Sequence, residues 1–443
     1  MDFADIGLKV PEILLPAEGV DLHRWAVIAC DQYTSEPDYW RRVENLVGDA
    51  PSTLRLIFPE VYLEDEGADE RIAAINRAMD SYLAEGVLRP LEPGFILLDR
   101  ETAHVPSRKG LVVALDLEAY DYRSGADSLI RATEGTIVDR LPPRIRVRQD
   151  ASLELPHIMV LIDDPGRTVI EPLFERDLPA LYDVELMEKG GRVRGWQVSE
   201  PELIGQVAKA LRDLAEPRSF ASRYQVEGQA PMLYAMGDGN HSFATAKAIW
   251  EQIKAEAKNP AEVMDHPARW ALVELVNLHD PGLEFEAIHR VLFDVDPKRL
   301  LVELAAWLGS QGARIRQLVP GEVSGLDDAV NVADAAQRIG WVAGDQFGLF
   351  EIENAPAQLA VGSLQAFLDQ WLEKNGGRID YVHGADVVTR LGAEPGQIGF
   401  LLPAISKFEL FRSIIVDGAL PRKTFSMGEA DEKRFYLECR KIK

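Results

Sequence analysis

Cysteine is nearly absent from the chain: only Cys30 and Cys439 occur in 443 residues. That excludes a disulfide framework and a four-cysteine zinc site, and it fits a reducing compartment. Positive charge is scarce too, with 48 lysines and arginines against 72 aspartates and glutamates, a formal net charge of −24. A nucleic-acid partner needs a basic surface to displace phosphate counterions, so none is expected, and an anionic membrane surface is disfavoured on the same ground. Uncharged apolar runs of the roughly 18 residues that cross a bilayer are missing. The first residues carry the acids Asp2 and Asp5 and no basic segment ahead of an apolar run, which is not the pattern of a secretory signal. Together these absences predict a cytoplasmic protein with a small-molecule substrate, no membrane and no nucleic-acid partner.

Familiar catalytic signatures are missing as well. There is no Gly-x-x-x-x-Gly-Lys-Ser/Thr phosphate loop, no His-Glu-x-x-His and no Gly-x-Ser-x-Gly, so a P-loop enzyme, a zincin and an esterase elbow are all unsupported. What is present is an ordinary balance of 47% hydrophobic and 27% charged residues, enough chain for two or three domains. Short apolar runs bounded by turn residues predict buried strands at Phe95 to Leu98, Leu111 to Leu117, His157 to Ile162, Pro231 to Met236, Ala271 to Leu278 and Ile398 to Leu402. Between them, Ile72, Ile75, Met79 and Tyr82 recur at helical spacing. So do Leu203, Val207, Leu211 and Leu214, after a Ser199-Glu200-Pro201-Glu202 start that matches a capping box. The expected class is mixed α/β (α+β). Residues 1–295 are expected to form the core, 296–353 either an inserted subdomain or lid or a continuation of one large mixed sheet, and 354–443 a C-terminal α/β segment returning to the core.

The segment that stands out is Gly237-Asp238-Gly239-Asn240-His241-Ser242, between a strand and the helical stripe Phe243, Ala246, Ile249, Trp250, Ile253. Two glycines permit a tight turn, and a helix start leaves several N–H groups unpaired, so an anion can bind there. Asp238, Asn240, His241, Ser242 and Thr245 crowd polar side chains onto that helix end. The bland alternative is that Asn240 or Ser242 merely caps the helix. The loop departs from Gly-x-Gly-x-x-Gly at Ser242, which weakens a dinucleotide reading.

Other clusters are weaker one by one. Arg131 could pair with a phosphate and Glu134 could act as a general base, if both project toward His241; a solvated turn with an ion pair is the alternative. Asp163 and Asp164 close a strand, where magnesium-binding carboxylates occur, but Asp-Asp-Pro-Gly is also a plain turn. Asn277, Asp280, His289 and Arg290 flank a second turn, and Arg422-Lys423-Thr424 lies farther on. Cys30 reads as a small core residue more readily than as a nucleophile.

Taken together, these segments resemble the bacterial family known as domain of unknown function 1015, over nearly the whole length. That family's Asp-Gly-His-His-Arg loop is matched by Asp238-Gly239-Asn240-His241-Ser242, and its Arg-His-Glu-x-Thr segment by Arg131 to Thr136. Further matches are Asn277, Asp280-Pro281-Gly282-Leu283, His289-Arg290, Tyr381-Val382-His383 and Leu420 to Thr424. The loop is also similar to that of the ParB and sulfiredoxin fold, which includes free-serine kinases. The resemblance implies a ParB/sulfiredoxin-like core with large additions. It also implies a nucleoside di- or triphosphate with Mg2+ at Gly237, Gly239 and the helix start. Glu134 would then be the base, Arg131 and Lys423 phosphate contacts, and Asp238 with His241 the loop's chemical groups. Two departures stand out: Ser242 replaces the loop arginine and Asn240 a histidine. The implied function is therefore phosphoryl transfer to a small hydroxyl-bearing metabolite or, with chemistry lost, nucleotide or metabolite sensing. ParB-like DNA binding is opposed by the acidic charge. None of these motifs encodes the acceptor or the oligomeric state.

Overall fold

The computed structural model describes residues 2–63, 65–123, 125–318, 325–332 and 336–443. The chain is mixed α/β and divides into two compact units, Met1–Leu283 with Gly428–Lys443, and Glu284–Met427. The boundaries fall at 283/284 and 427/428 rather than at 295/296 and 353/354. Residues 296–353 lie wholly inside the second unit, and its sheet takes three strands from them, Arg314–Leu318, Gln337–Ala343 and Gln346–Glu353.

The first unit is built on one long mixed sheet. Its strands run in the order Ala180–Glu185, Arg192–Val198, Phe95–Glu101, Arg108–Asp116, Trp270–Asn277, Met159–Ile162, Tyr234–Asp238, Ile130–Arg131 and Tyr120–Asp121. Two hydrophobic cores cover its two faces. Ile96, Leu98, Val112 and Leu272 point into one, with Ile72, Ile75 and Met79 of the helix Ala68–Ala84. Phe95, Leu97, Leu111, Val113 and Val273 point into the other, with Leu203, Val207 and Leu211 of the helix Pro201–Leu214 and Phe243 and Trp250 of the helix Asn240–Glu256. Burial on both faces explains why these strands read as unbroken apolar runs rather than as an alternation.

The observed strands shift from the expected ones by a few residues. Two shifts matter: Tyr234–Asp238 carries the strand into the glycine-rich loop, and Met159–Ile162 leaves His157 and Ile158 outside it. The expected capping box at Ser199 does not form. Glu200 is the N-cap, with no side-chain cap bond, and Pro201 occupies the first helical position, where its missing N–H costs nothing.

Gly428–Lys443 belongs to the first unit and is tied there by buried charge. Phe435–Tyr436 pairs with Val27–Ile28. Arg434 bonds Glu274 of the sheet and Glu438, and Arg440 Nε lies 2.6 Å from Glu154 Oε1. Removing one partner of such a set strands a buried charge, so the cluster holds this segment in register. It also delivers Lys433 and Tyr436 to the loop end of the sheet.

The second unit has its own sheet, in the order Arg314–Leu318, Gln346–Glu353, Gln337–Ala343, Ile398–Leu401, Phe285–Phe293 and Arg378–His383, with Phe425–Met427 pairing Phe285–Ala287.

Candidate active site

The loop forms at a break in strand register. Met159 opposes Asp238 while Val160 opposes Met236, so Gly237 is an extra residue that bends the strand and turns Asp238 outward. Gly239 then caps the helix Asn240–Glu256 with φ 78°, a left-handed conformation that side chains rarely adopt. A Cβ there would also stand 3.1 Å from the Ile158 Cα. Neither Asn240 nor Ser242 is the cap; both sit within the first turn.

The amide hydrogens of that turn are not all available. Gly239 N–H is taken by Asp238 Oδ1 at 2.8 Å, a correction to an open cradle beside residue 239. The first helical bond runs from Phe243 N–H to Gly239 O at 3.0 Å, so the amides of residues 240–242 precede the ladder and have no helical acceptor. Asn240 Oδ1 is buried with no hydrogen-bond partner among the described residues. Asp238 Oδ2 lies 3.2 Å from Lys433 Nζ. Burial opposes its ionisation, but the Lys433 ammonium and the Gly239 N–H prevail and hold the carboxyl below the usual carboxylate range.

Behind the loop is a cleft with an empty volume of about 870 Å³, its open mouth included. Leu56, Phe58, Ile75, Met79 and Leu155 supply much of the wall, and Ser242 and Thr245 enter from the helix. Its polar groups are mutually engaged. Ser242 Oγ is 2.8 Å from His157 Nε2, His157 Nδ1 is 2.9 Å from Tyr436 Oη, and Tyr436 Oη accepts from Cys30 N–H at 3.1 Å. Glu60 and Arg144 pair at 2.5 Å, and Arg148 and Glu154 at 2.6 Å. Burial pushes the Glu60 carboxyl up against the pull of Arg144. It pushes the Cys30 thiol up as well, reinforced by Asp31 and Glu60, so Cys30 is no ready thiolate. Thr245 Oγ1 turns back to His241 O at 2.7 Å.

Glu134 lies three residues past a short strand beside the loop strand. Ile130–Arg131 runs parallel to Tyr234–Asp238 with Arg131 opposite Ala235, Thr133 Oγ1 donates to Met236 O at 2.6 Å, and half-buried Glu134 follows directly. Arg131 does not reach the loop. Its guanidinium is buried and donates to Ser128 O at 2.9 Å and Ala230 O at 2.8 Å, back toward the start of the strand. Asp163 and Asp164 follow Ile162, while the loop opposes Met159, so the two groups stand at opposite ends of one strand, on the order of 13 Å apart.

Those two carboxylates have structural duties. Asp163 bonds Tyr224 Oη and His279 Nε2, and Asp164 accepts from Val169 N–H at 2.9 Å and Thr168 N–H. Asn277 Nδ2 donates to Asp164 O at 2.9 Å and Glu171 Oε1 at 2.8 Å, and Asp280 accepts from Gly282 N–H at 2.8 Å. The Asp163 and Asp164 carboxylates are thus engaged with the turn and the side chains around it. His289, Arg290 and Lys423 belong to the second unit. Arg290 is fully buried against Gln365 and Arg422 O, His289 Nδ1 accepts from Leu402 N–H at 3.1 Å, and Lys423 is exposed.

Sequence reasoning missed His157, Lys433 and Tyr436. His157 reads as the first residue of a strand, and the other two lie in a segment whose return to the sheet no periodicity announces.

No curated protein matches the chain. Among solved structures, a free serine kinase in complex with AMP is similar at a TM-score of 0.37 and 11% identity, covering 75% of this chain and 92% of that one. A conserved hypothetical protein from Pyrococcus furiosus stands at 0.34 and 11%, covering 75% and 95%. SbnI with a C-terminal truncation, from Staphylococcus aureus, is at 0.36 and 9%, covering 72% and 82%. Overlap at this level carries no ligand or activity across to the present chain. A match of another kind runs from residue 14 to residue 371, most of the length, and by it the chain belongs to the family described as Protein of unknown function (DUF1015).

Proposed function

We propose that the chain binds a nucleoside di- or triphosphate with Mg2+ at the Gly237–Ser242 turn and transfers a phosphoryl group to a small hydroxyl-bearing metabolite. One observation carries this reading: the Asp238 carboxylate, 3.2 Å from Lys433 Nζ, stands at the same turn as the unladdered amides of residues 240–242. Magnesium brought with a nucleotide needs only one or two protein carboxylates, the phosphates supplying the rest, so Asp238 alone suits it. The buried, unpartnered Asn240 Oδ1 suits the same polar guest.

When bound, the magnesium nucleotide supplies the transferable phosphoryl group and positive charge against its oxygens. The chain's own contributions are separate. Asp238 holds the metal, the first-turn amides face phosphate, Lys433 keeps Asp238 ionised, and Glu134 accepts the proton of the acceptor hydroxyl. Arg131 has no part in this scheme, because its guanidinium is bound to carbonyls. Ser242 in the place of the loop arginine favours a second reading, a sensor that binds nucleotide without turnover.

Calorimetry with ATP, ADP and CTP, each with magnesium, tests the proposal. Saturable binding is expected, weakened tenfold or more by Asp238→Asn. For Glu134→Gln, affinity should persist while the turnover of the unaltered chain is lost. A sensor would bind alike in both forms and turn over in neither. Absence of heat at millimolar nucleotide in all three cases would overturn both readings.

A further inference from the structure

The cleft behind the loop shares Ser242 with the turn proposed above for the nucleotide, and its hydrogen bonds run in a defined direction. A backbone N–H can only donate, so Tyr436 Oη accepts from Cys30 and must send its single hydrogen elsewhere. Its nearby options are the His157 Nδ1 at 2.9 Å and the Cys30 sulfur, which burial keeps as a thiol and hence a poor acceptor. The imidazole nitrogen is the better acceptor, and the inferred relay sends the hydrogen to it. His157 then carries its own hydrogen on Nε2 and donates to Ser242 Oγ at 2.8 Å. In that relay Ser242 is an acceptor toward His157, which keeps its hydroxyl hydrogen off the ring, and Ser242 lines the cleft.

The other polar groups of the cleft are spent on each other. Glu60 pairs with Arg144, and Glu154 is shared by Arg148 and Arg440, so each of these carboxylates is already matched by a guanidinium. The remaining wall is aliphatic and aromatic. The space inside the cleft, about 140 Å³, is close to that of an apolar cavity able to hold a benzene ring, and small-molecule pockets combine apolar walls with a few fixed polar groups.

We propose that this cleft is a binding site for an uncharged small molecule with an apolar, ring-sized body and one hydrogen-bond-accepting head, which the Ser242 hydroxyl receives. Tyr436 and His157 are positioning residues: they touch no ligand themselves and set which way Ser242 donates. The cleft shares Ser242 with the turn proposed for the nucleotide, the backbone amide serving there and the hydroxyl here, and its occupancy is read without any nucleotide present.

Prodan, an uncharged naphthalene bearing a ketone, is a suitable probe, because its emission reports both apolar surroundings and a hydrogen bond to the ketone. Titrated into the full chain, it should bind saturably at one site with emission to the blue of that in water. Ser242→Ala should weaken binding roughly threefold to tenfold, the scale of one neutral hydrogen bond, and move emission farther to the blue. Leu155→Trp should fill the cleft and abolish binding while far-ultraviolet circular dichroism stays unchanged.

In a Tyr436→Phe background the imidazole can take its other tautomer and accept from Ser242, so Ser242→Ala should then cost little. A merely structural relay would leave that cost the same in both backgrounds. The proposal is overturned if prodan does not saturate, if Leu155→Trp binds it as before, or if Ser242→Ala changes neither affinity nor emission. Should Leu155→Trp fail to fold, Ser242→Ala decides alone.

Discussion

Gly239 meets two demands at once, a left-handed backbone and the passage of Ile158 against its Cα. Gly239→Ala should therefore cost about 2–3 kcal/mol, of which roughly 1–2 kcal/mol is backbone conformation and the rest displacement of Ile158. Urea unfolding of the variant checks it; a loss under about 0.5 kcal/mol would mean that the loop relaxes freely. The two glycines were legible as a turn from their place between a strand and an amphipathic stripe. The partners were not. Asp238 captures the neighbouring amide, Ser242 meets His157, and Arg131 turns to Ala230, each through contacts that local spacing does not encode. Asp163 and Asp164 show the same limit: a strand-end carboxylate pair looks alike whether it waits for a metal or ties down a turn.

At the scale of elements, burial governs both the legibility of the strands and the response of stability to pH. Strands covered on both faces announced themselves as apolar runs, whereas their ends were displaced because Gly237 is a bulge and Pro201 starts its helix without the expected cap. The strand Phe285–Phe293 carries a titrating core residue. Burial, helped by Arg290 and His383, pushes the His289 imidazole down to about 4 from an ordinary 6.5. Between those values the unfolded chain holds a proton that the folded chain does not. The stabilisation is thus complete above about pH 6.5 and is lost as pH falls toward 4, at a cost of about 3 kcal/mol. Urea midpoints should drop across that window and drop less in His289→Gln. Equal slopes in the two proteins would contradict the assignment.

For the whole molecule, the first unit is discontinuous in sequence, and that is why its extent was not legible. Gly428–Lys443 returns to the sheet through Arg434 and Arg440 on Glu274, Glu438 and Glu154, side chains that a linear reading assigns to a solvated surface. With that return come Lys433 and Tyr436, which complete the loop and the cleft. The phosphoryl-transfer reading rests on a nucleotide phosphate seated at the turn just after Asp238. A crystal structure of the full chain grown with ADP and magnesium tests this most directly. The account predicts phosphate oxygens against the amides of residues 240–242 with the metal on an Asp238 oxygen; nucleotide bound elsewhere on the chain, with that turn bare, would contradict it.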